Sequence, residues 1–352
     1  MSNTKNTTND NDDDDDTTDT TTFLLKGLVK WDLNVFRLES TVLPLTTVTM
    51  SVFYKCNLIS LLGLDENVCI NFFTAIEHKY APYPQLTYHT SLHAADVVHS
   101  MYKLLQTDCL KDHFRPLQVF SALVAAAVHD VGHPGLTNAF LCATHHPLAI
   151  LYNDTSVLEH HHAATAFTVA AQKPACNIFA ALPPGDRKAA RAQIIHMILH
   201  TDMTKHHTLM ADCRTLIATR GSPPLNGVLQ PVCLQGASTG DLDVLFSFLL
   251  HAADLGAVSK AWPLCHKWAA RIMTELFAQG DQEAALGLQT PAGGYDRTKI
   301  TLAQSQVGFI DFIGRPLWAK WDELIGVAKS PQSLAVEENR RMWEQLGAGH
   351  LN

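Results

Sequence analysis

Val119-Phe120-Ser121-Ala122-Leu123-Val124-Ala125-Ala126-Ala127-Val128 runs straight into His129-Asp130-Val131-Gly132-His133. Almost nothing in the apolar run suits water, so it reads as a helix entering the middle of the protein. Pro116 opens it, and Pro134 with Gly135 closes it. Such a helix ends in two imidazoles and a carboxylate. Leaving those groups buried and unpaired costs on the order of several kcal/mol each. Either the pair caps the helix and bonds to backbone, or a metal ion compensates it.

Two further segments bear on that choice. In Tyr88-His89-Thr90-Ser91-Leu92-His93 the two histidines lie four apart, on one face near the start of a helix that runs to about Leu105. A helix over 241–255 carries His251 and Asp254. His93, His129, Asp130 and Asp254 therefore each lie inside or beside an apolar segment, where an unpaired charge is hard to tolerate. Two imidazoles and two carboxylates form a donor set suited to zinc, with positions left open for water. The carboxylates also leave room for a second, harder ion such as magnesium.

The rest of the chain reads as helical. Apolar residues recur at three- and four-residue spacing, and Ala and Leu are abundant. Helices are expected over 24–38, 45–62 and 65–79, the last with Asp65 as its N-cap. Further helices are expected over 156–171, over 186–210 as one long element, over 304–321 and over 337–346. Loops are expected over 221–240 and 290–295. There is no internal repeat and no linker, so residues 23–352 form one all-α domain. Residues 1–22 are Thr, Asn and Asp with almost no apolar content, and this acidic tail is expected to be disordered.

The chain has 352 residues, 47% of them hydrophobic, which is enough for a substantial core. Its net charge of −8 misleads, because the tail alone carries −6. The remainder is near neutral and has no basic footprint for nucleic acid. Eight cysteines are scattered without a CxxC pair, the pattern of reduced thiols in a cytoplasmic protein. No signal layout is present, and no apolar run is expected to reach the roughly 18 residues of a membrane span. Oligomeric state is not legible.

Six segments, YHTSLHAADVV, VHDVGHPGLTNAF, YNDTSVLEHHHA, ILHTDMTKH, HAADLGAVSK and SQVGFIDFIGRPLW, resemble in order and spacing the motifs of class I 3′,5′-cyclic nucleotide phosphodiesterases. The resemblance covers residues 24–346. It implies a compact all-α HD-type catalytic domain with a two-metal site at the bottom of a deep pocket. It also implies hydrolysis of the 3′ phosphoester bond of cAMP, cGMP or both, by a metal-bridged hydroxide. His93, His129, Asp130 and Asp254 then correspond to the ligands of a tight zinc, and Asp130 bridges to magnesium or manganese. His133, Asn138, Glu159 and Thr201 match positions around metal-held water. His89 matches the general acid that protonates the leaving 3′ oxygen, and Glu159 the carboxylate that bonds to it.

For the base, Gln306 matches the glutamine that bonds the purine edge. Phe309 matches the aromatic that stacks on the purine, and Ile272 the opposite wall. The chain departs from the family pattern at three positions. Gly132 stands where many members have Asp. Ala257 stands where cAMP-selective members carry Asn, and Cys265 where a tyrosine is common. A cyclic-nucleotide sensor without catalysis is the alternative, and an intact acid and ligand set argues against it. An HD-type hydrolase of nucleoside triphosphates needs a basic phosphate cluster, which these motifs lack.

Overall fold

Residues Phe120 to Val128 of the apolar run are all buried, in the helix Pro116–Val128. That helix is the sixth of sixteen α-helices in the computed structural model, which describes residues 20–40, 43–80, 86–222, 225, 229–288 and 295–349. The first eight are α1 (Thr20–Gly27), α2 (Pro44–Lys55), α3 (Leu58–Leu62), α4 (Glu66–Glu77), α5 (Ser91–Leu105), α6 (Pro116–Val128), α7 (Asn138–Ala143) and α8 (Pro147–Leu151). Then come α9 (Val157–Gln172), α10 (Pro184–Leu199), α11 (His206–Arg220), α12 (Thr239–Asp254) and α13 (Trp262–Leu286). The chain closes with α14 (Leu302–Phe309), a π-turn (Ile310–Gly314), α15 (Arg315–Ile325) and α16 (Pro331–Gly347). No β-strand occurs among the described residues.

Helix α6 is walled by α2, α3, α5, α9, α10 and α12. Its alanines at 122 and 125–127 are fully buried and let those neighbours approach closely. The helices α5, α6 and α12 also touch one another pairwise. His93 lies on α5, His129 is the C-cap of α6, and Asp254 ends α12. The core therefore delivers the candidate ligands to one point.

Several expected elements differ in their bounds, each for a physical reason. Asp65 does cap α4, accepting from the backbone N–H of Val68. The helix expected over 24–38 stops at Gly27, and only a 3-10 turn, Val35–Leu38, follows. Between them the chain makes long-range contacts. Trp31 Nε1 donates to the Ser259 carbonyl at 3.0 Å, and Asp32 accepts the Ala261 N–H at 2.7 Å. The helix expected over 45–62 breaks at Asn57, which takes a left-handed φ of 54°.

The single helix over 186–210 is two, α10 and α11. Thr201 turns its hydroxyl back onto the Ile198 carbonyl, and Asp202 accepts from the N–H of Thr204. Such local bonds compete with helix continuation. The helix over 304–321 continues, but through the π-turn. Pro316 has no N–H to donate four residues back, and the wider turn absorbs the mismatch. The last helix begins at Pro331, six residues before its expected start, with Ser330 as N-cap.

Residues 1–19 of the tail and 290–294 of the last loop lie outside the described residues. The tail boundary expected at residue 22 falls inside α1. Contrary to the expectation, one segment, Thr239–Ser259, is long and apolar enough to cross a membrane. Most of it is buried against α5, α10 and α11, as in the core helix of a globular domain. All eight cysteines are free.

A buried ion pair fixes the end of α12 relative to α5. Lys260 Nζ bonds the carboxylate of Asp96, and the lysine side chain is wholly enclosed. Removing one charge of such a pair strands the other. Lys260→Met is expected to destabilise the protein by about 3–5 kcal/mol in urea titration, whereas Lys260→Met with Asp96→Leu restores most of that loss.

Candidate metal centre

Four side chains from α5, the end of α6 and the end of α12 place their ligand atoms within 4.8 Å of one another: His93, His129, Asp130 and Asp254. His93 Nε2 lies 3.1 Å from Asp254 Oδ1 and 3.6 Å from Asp130 Oδ2. His129 Nε2 lies 3.1 Å from Asp130 Oδ2 and 3.3 Å from Asp254 Oδ1. Ligand atoms about 2.0–2.1 Å from a tetrahedral zinc are about 3.3 Å apart, and these separations bracket that value.

The proton inventory points the same way. His129 Nδ1 faces the Ala126 carbonyl at 2.9 Å, so it carries a hydrogen there and turns Nε2 toward the two carboxylates. That buried Nε2 has no aligned hydrogen bond, despite the two carboxylates beside it. Burial opposes charge on His129, but Asp130 and Asp254 override it and hold its pKa well above 6.5. Burial likewise opposes charge on the two carboxylates, and His129 pulls both below the usual range. The pocket demands positive charge, and these donors fit a divalent cation.

Gly132 shapes the turn that follows. Its φ is +80°, and a Cβ there would sit 2.9 Å from His161 Nε2, so any side chain at this position is strained and displaces that ring.

His89 stands beside the ligands, its ring centroid 6.2 Å from that of His93. The carboxylate that holds it is Glu275 on α13 and not Glu159. Glu275 Oε2 meets His89 Nδ1 at 2.6 Å, while Oε1 accepts the backbone N–H groups of Thr87, Tyr88 and His89. Burial pushes the imidazole toward neutrality, and the Glu275 bond and charge outweigh it, so His89 is raised above 6.5. With Nδ1 committed, Nε2–H is the free end of the ring. His133 stacks on His89 at 3.8 Å, and burial together with the His89 charge drives its pKa well below 6.5. His133 Nδ1 accepts the Gly135 N–H, so the neutral ring carries its hydrogen on Nε2.

Glu159 belongs to a separate pair. Both its oxygens accept from the Asn138 amide, at 3.2 and 2.9 Å, and Asn138 Oδ1 in turn accepts the Leu158 N–H. Burial is the main reason its pKa rises to about 7, with Asp202 adding to the rise and Asn138 opposing it. Next along, Thr201 spends its hydroxyl hydrogen on Ile198, leaving its oxygen to accept.

Sequence reasoning missed two groups. Glu275 is three residues beyond Ile272, on the same side of α13. His162 is one turn beyond Glu159 and brings Nε2 to 3.8 Å from Asp130 Oδ1, with its Nδ1 on the Val131 carbonyl. Helical spacing from Glu159 was the available signal for His162, while no local pattern marked Glu275.

The residues expected to hold a base gather on adjoining elements. Ala257 lies in the 3-10 turn Leu255–Ser259, three residues after Asp254. Ile272 is on α13 and Gln306 and Phe309 are on α14, and these two helices pack together through Ser305 Oγ and Met273 Sδ. Gln306 is 7% exposed, and its carboxamide has no hydrogen-bond partner among the described residues. Cys265 is buried on α13.

Residues 88–334 match the family model described as 3′5′-cyclic nucleotide phosphodiesterase. A mouse protein named 3′,5′-cyclic-AMP phosphodiesterase 4C is 40% identical over 90% of this chain and 45% of its own length. A Drosophila melanogaster 3′,5′-cyclic-AMP phosphodiesterase, isoform F, is 39% identical over 92% of this chain and 48% of its own. The chain thus spans about half the length of the curated relatives it matches. The crystal structure of the phosphodiesterase domain of Salpingoeca rosetta rhodopsin phosphodiesterase aligns with a TM-score of 0.79 and 27% identity, over 95% of this chain and 96% of that one.

Two measurements check this geometry. Stripping divalent ions with a chelator is expected to lower the unfolding midpoint and zinc to restore it, by about 2.7 kcal/mol at a hundredfold excess over Kd. The restoration shrinks in acid, where a proton on His129 competes. NMR titration of His89 is expected to give a pKa above 6.5 in the native chain and a lower one in Glu275→Gln. A raised pKa stabilises the fold fully below pH 6.5, and that contribution is lost as pH rises through the folded value.

Proposed function

The chain belongs to the 3′,5′-cyclic nucleotide phosphodiesterase family, and we propose that it hydrolyses the 3′ phosphoester of cAMP, and of cGMP alongside it, to the 5′-monophosphate. One observation carries the reading: a quartet of two imidazoles and two carboxylates with converging ligand atoms lies beside an imidazole held charged by its own carboxylate. His93, His129, Asp130 and Asp254 would hold a zinc ion, with Asp130 shared with magnesium or manganese. Divalent ions held there supply Lewis acidity to the phosphoryl oxygens and acidify water.

The protein's own groups do the rest. The new bond joins a water oxygen to phosphorus, the proton that water loses passes to solvent, and the bond from phosphorus to the 3′ oxygen breaks; solvent returns a proton to His89 after turnover. His89 Nε2–H gives its proton to that leaving oxygen, a step worth about 10²–10⁴ in rate. Glu275 keeps the ring charged and aimed. Glu159, with a pKa of about 7, takes up and releases a proton near neutrality while Asn138 fixes its direction. The His133 Nε2–H and the Thr201 oxygen add one donor and one acceptor for ordered water. Phe309 and Ile272 enclose the base, and Gln306 reads its edge.

The names of the relatives favour cAMP. Acceptance of cGMP rests on two features of this chain. Ala257 offers no hydrogen bond to adenine, and the Gln306 carboxamide has no protein partner to fix which end points at the purine. An amide free to turn can donate or accept.

Purified protein with magnesium is expected to convert both nucleotides to 5′-monophosphates, and Ala257→Asn to shift the kcat/KM ratio toward cAMP by about threefold to tenfold. Finding no 5′-nucleotide from either substrate would favour the sensor reading instead.

A further inference from the structure

The helix α16 carries no residue of the site, yet it grips both elements that hold the base residues. Asn339 on α16 is 1% exposed. Its Nδ2 donates to the carbonyls of Val258 at 2.9 Å and Lys260 at 2.7 Å. Those carbonyls flank the end of the 3-10 turn that holds Ala257. The turn is thus fixed at three places: by Asp254 at its start, by Lys260 against Asp96 at its end, and by Asn339 from behind.

The next residue of α16 grips the other wall. Arg340 makes a two-pronged pair with Asp311, at 2.6 and 2.9 Å, and Arg315 also reaches Asp311 at 2.8 Å while pairing with Glu337 of α16. Asp311 lies in the π-turn that begins directly after Phe309. The two walls also meet each other. A Cβ added to Gly314 would lie 3.2 Å from Val258 Cγ2, tighter than an ordinary contact. The gap between the two walls is set by one glycine and by one asparagine behind it.

We propose that Asn339 is a positioning residue for nucleotide choice. By holding the Val258 and Lys260 carbonyls it sets the separation between the Ala257 turn and the π-turn that follows Gln306 and Phe309. This rests on the phosphodiesterase reading. Nothing in the metal quartet or in the His89–Glu275 pair touches Asn339, so the residue acts on the base and not on the bond that breaks. Arg340 and Asp311 hold the opposite wall by a separate contact, which is why a single lost bond shifts one wall relative to the other.

Steady-state kinetics with cAMP and cGMP on Asn339→Ala and Gly314→Ala test it. The first releases the Ala257 turn. The second leaves both Asn339 bonds in place, suits a helical φ of −64° and presses the π-turn against Val258. In each, the two KM values are expected to move by unequal factors, changing their ratio by about threefold to tenfold with kcat within about twofold. A variant that merely folds less well loses kcat equally for both nucleotides and keeps both KM values. That pattern in Asn339→Ala overturns the proposal whatever Gly314→Ala does, and if Asn339→Ala does not fold, Asn339→Ser, which keeps a shorter donor, is read in its place. Native protein that turns over neither nucleotide overturns the phosphodiesterase reading, an outcome distinct from an unchanged ratio in active protein.

Discussion

The structure depends on the cost of burying two carboxylates and two imidazoles where three apolar helices meet. Helices α5, α6 and α12 meet there, and His129 Nε2 is buried without an aligned hydrogen bond, while the Asp130 and Asp254 carboxylates keep 14% and 17% of their surface exposed. Protein interiors tolerate such a set only when opposite charge is supplied. The surrounding apolar packing makes the demand sharper, because fields weaken less in a low-dielectric interior than in water. Fold and site are thus one constraint: the alanine-rich α6 lets its neighbours pack closely, and that packing brings the four ligand side chains together.

Around that centre the titrating groups divide into distinct roles by environment. His89 and His133 are stacked imidazoles, yet one is raised and the other driven down. The difference is Glu275, which contacts only His89. Glu159 is also a buried carboxylate, but it meets a neutral amide and no cation, so its pKa climbs to about 7. Pairs of like groups with separated pKa values are how a site holds an acid and a base at one pH.

All four members of the ligand set were legible in the sequence, because each lies at or beside the end of an apolar helix. The positions of Asn138 and Gln306 followed from motifs around them. Glu275 was not legible in the same way. It lies 186 residues from His89, and no local pattern links a carboxylate in the middle of α13 to a loop before α5. Assigning that contact to Glu159 took the nearer carboxylate for the one that touches. The break at 200–202 was hidden for a related reason. The periodicity of 186–210 continues through it, and only the Thr201 and Asp202 side-chain bonds to nearby backbone stop the helix. Long-range ties from Trp31 and Asp32 to 259–261 overrode local helix preference in the same manner.

The cradle of three main-chain N–H groups around Glu275 Oε1 bears on how this protein can drift. Main-chain donors are supplied by any residue other than proline, so the identities of the side chains at 87 and 88 do not hold the carboxylate in place. The carboxylate's orientation is inherited from the path of the chain, and the imidazole it steers inherits that orientation in turn. The side chain at 87 is therefore free of that duty, while Tyr88 keeps a different one, packing its ring on His89, His93 and Trp268. A proline at position 87 would remove one donor and loosen the aim without touching the ring it steers.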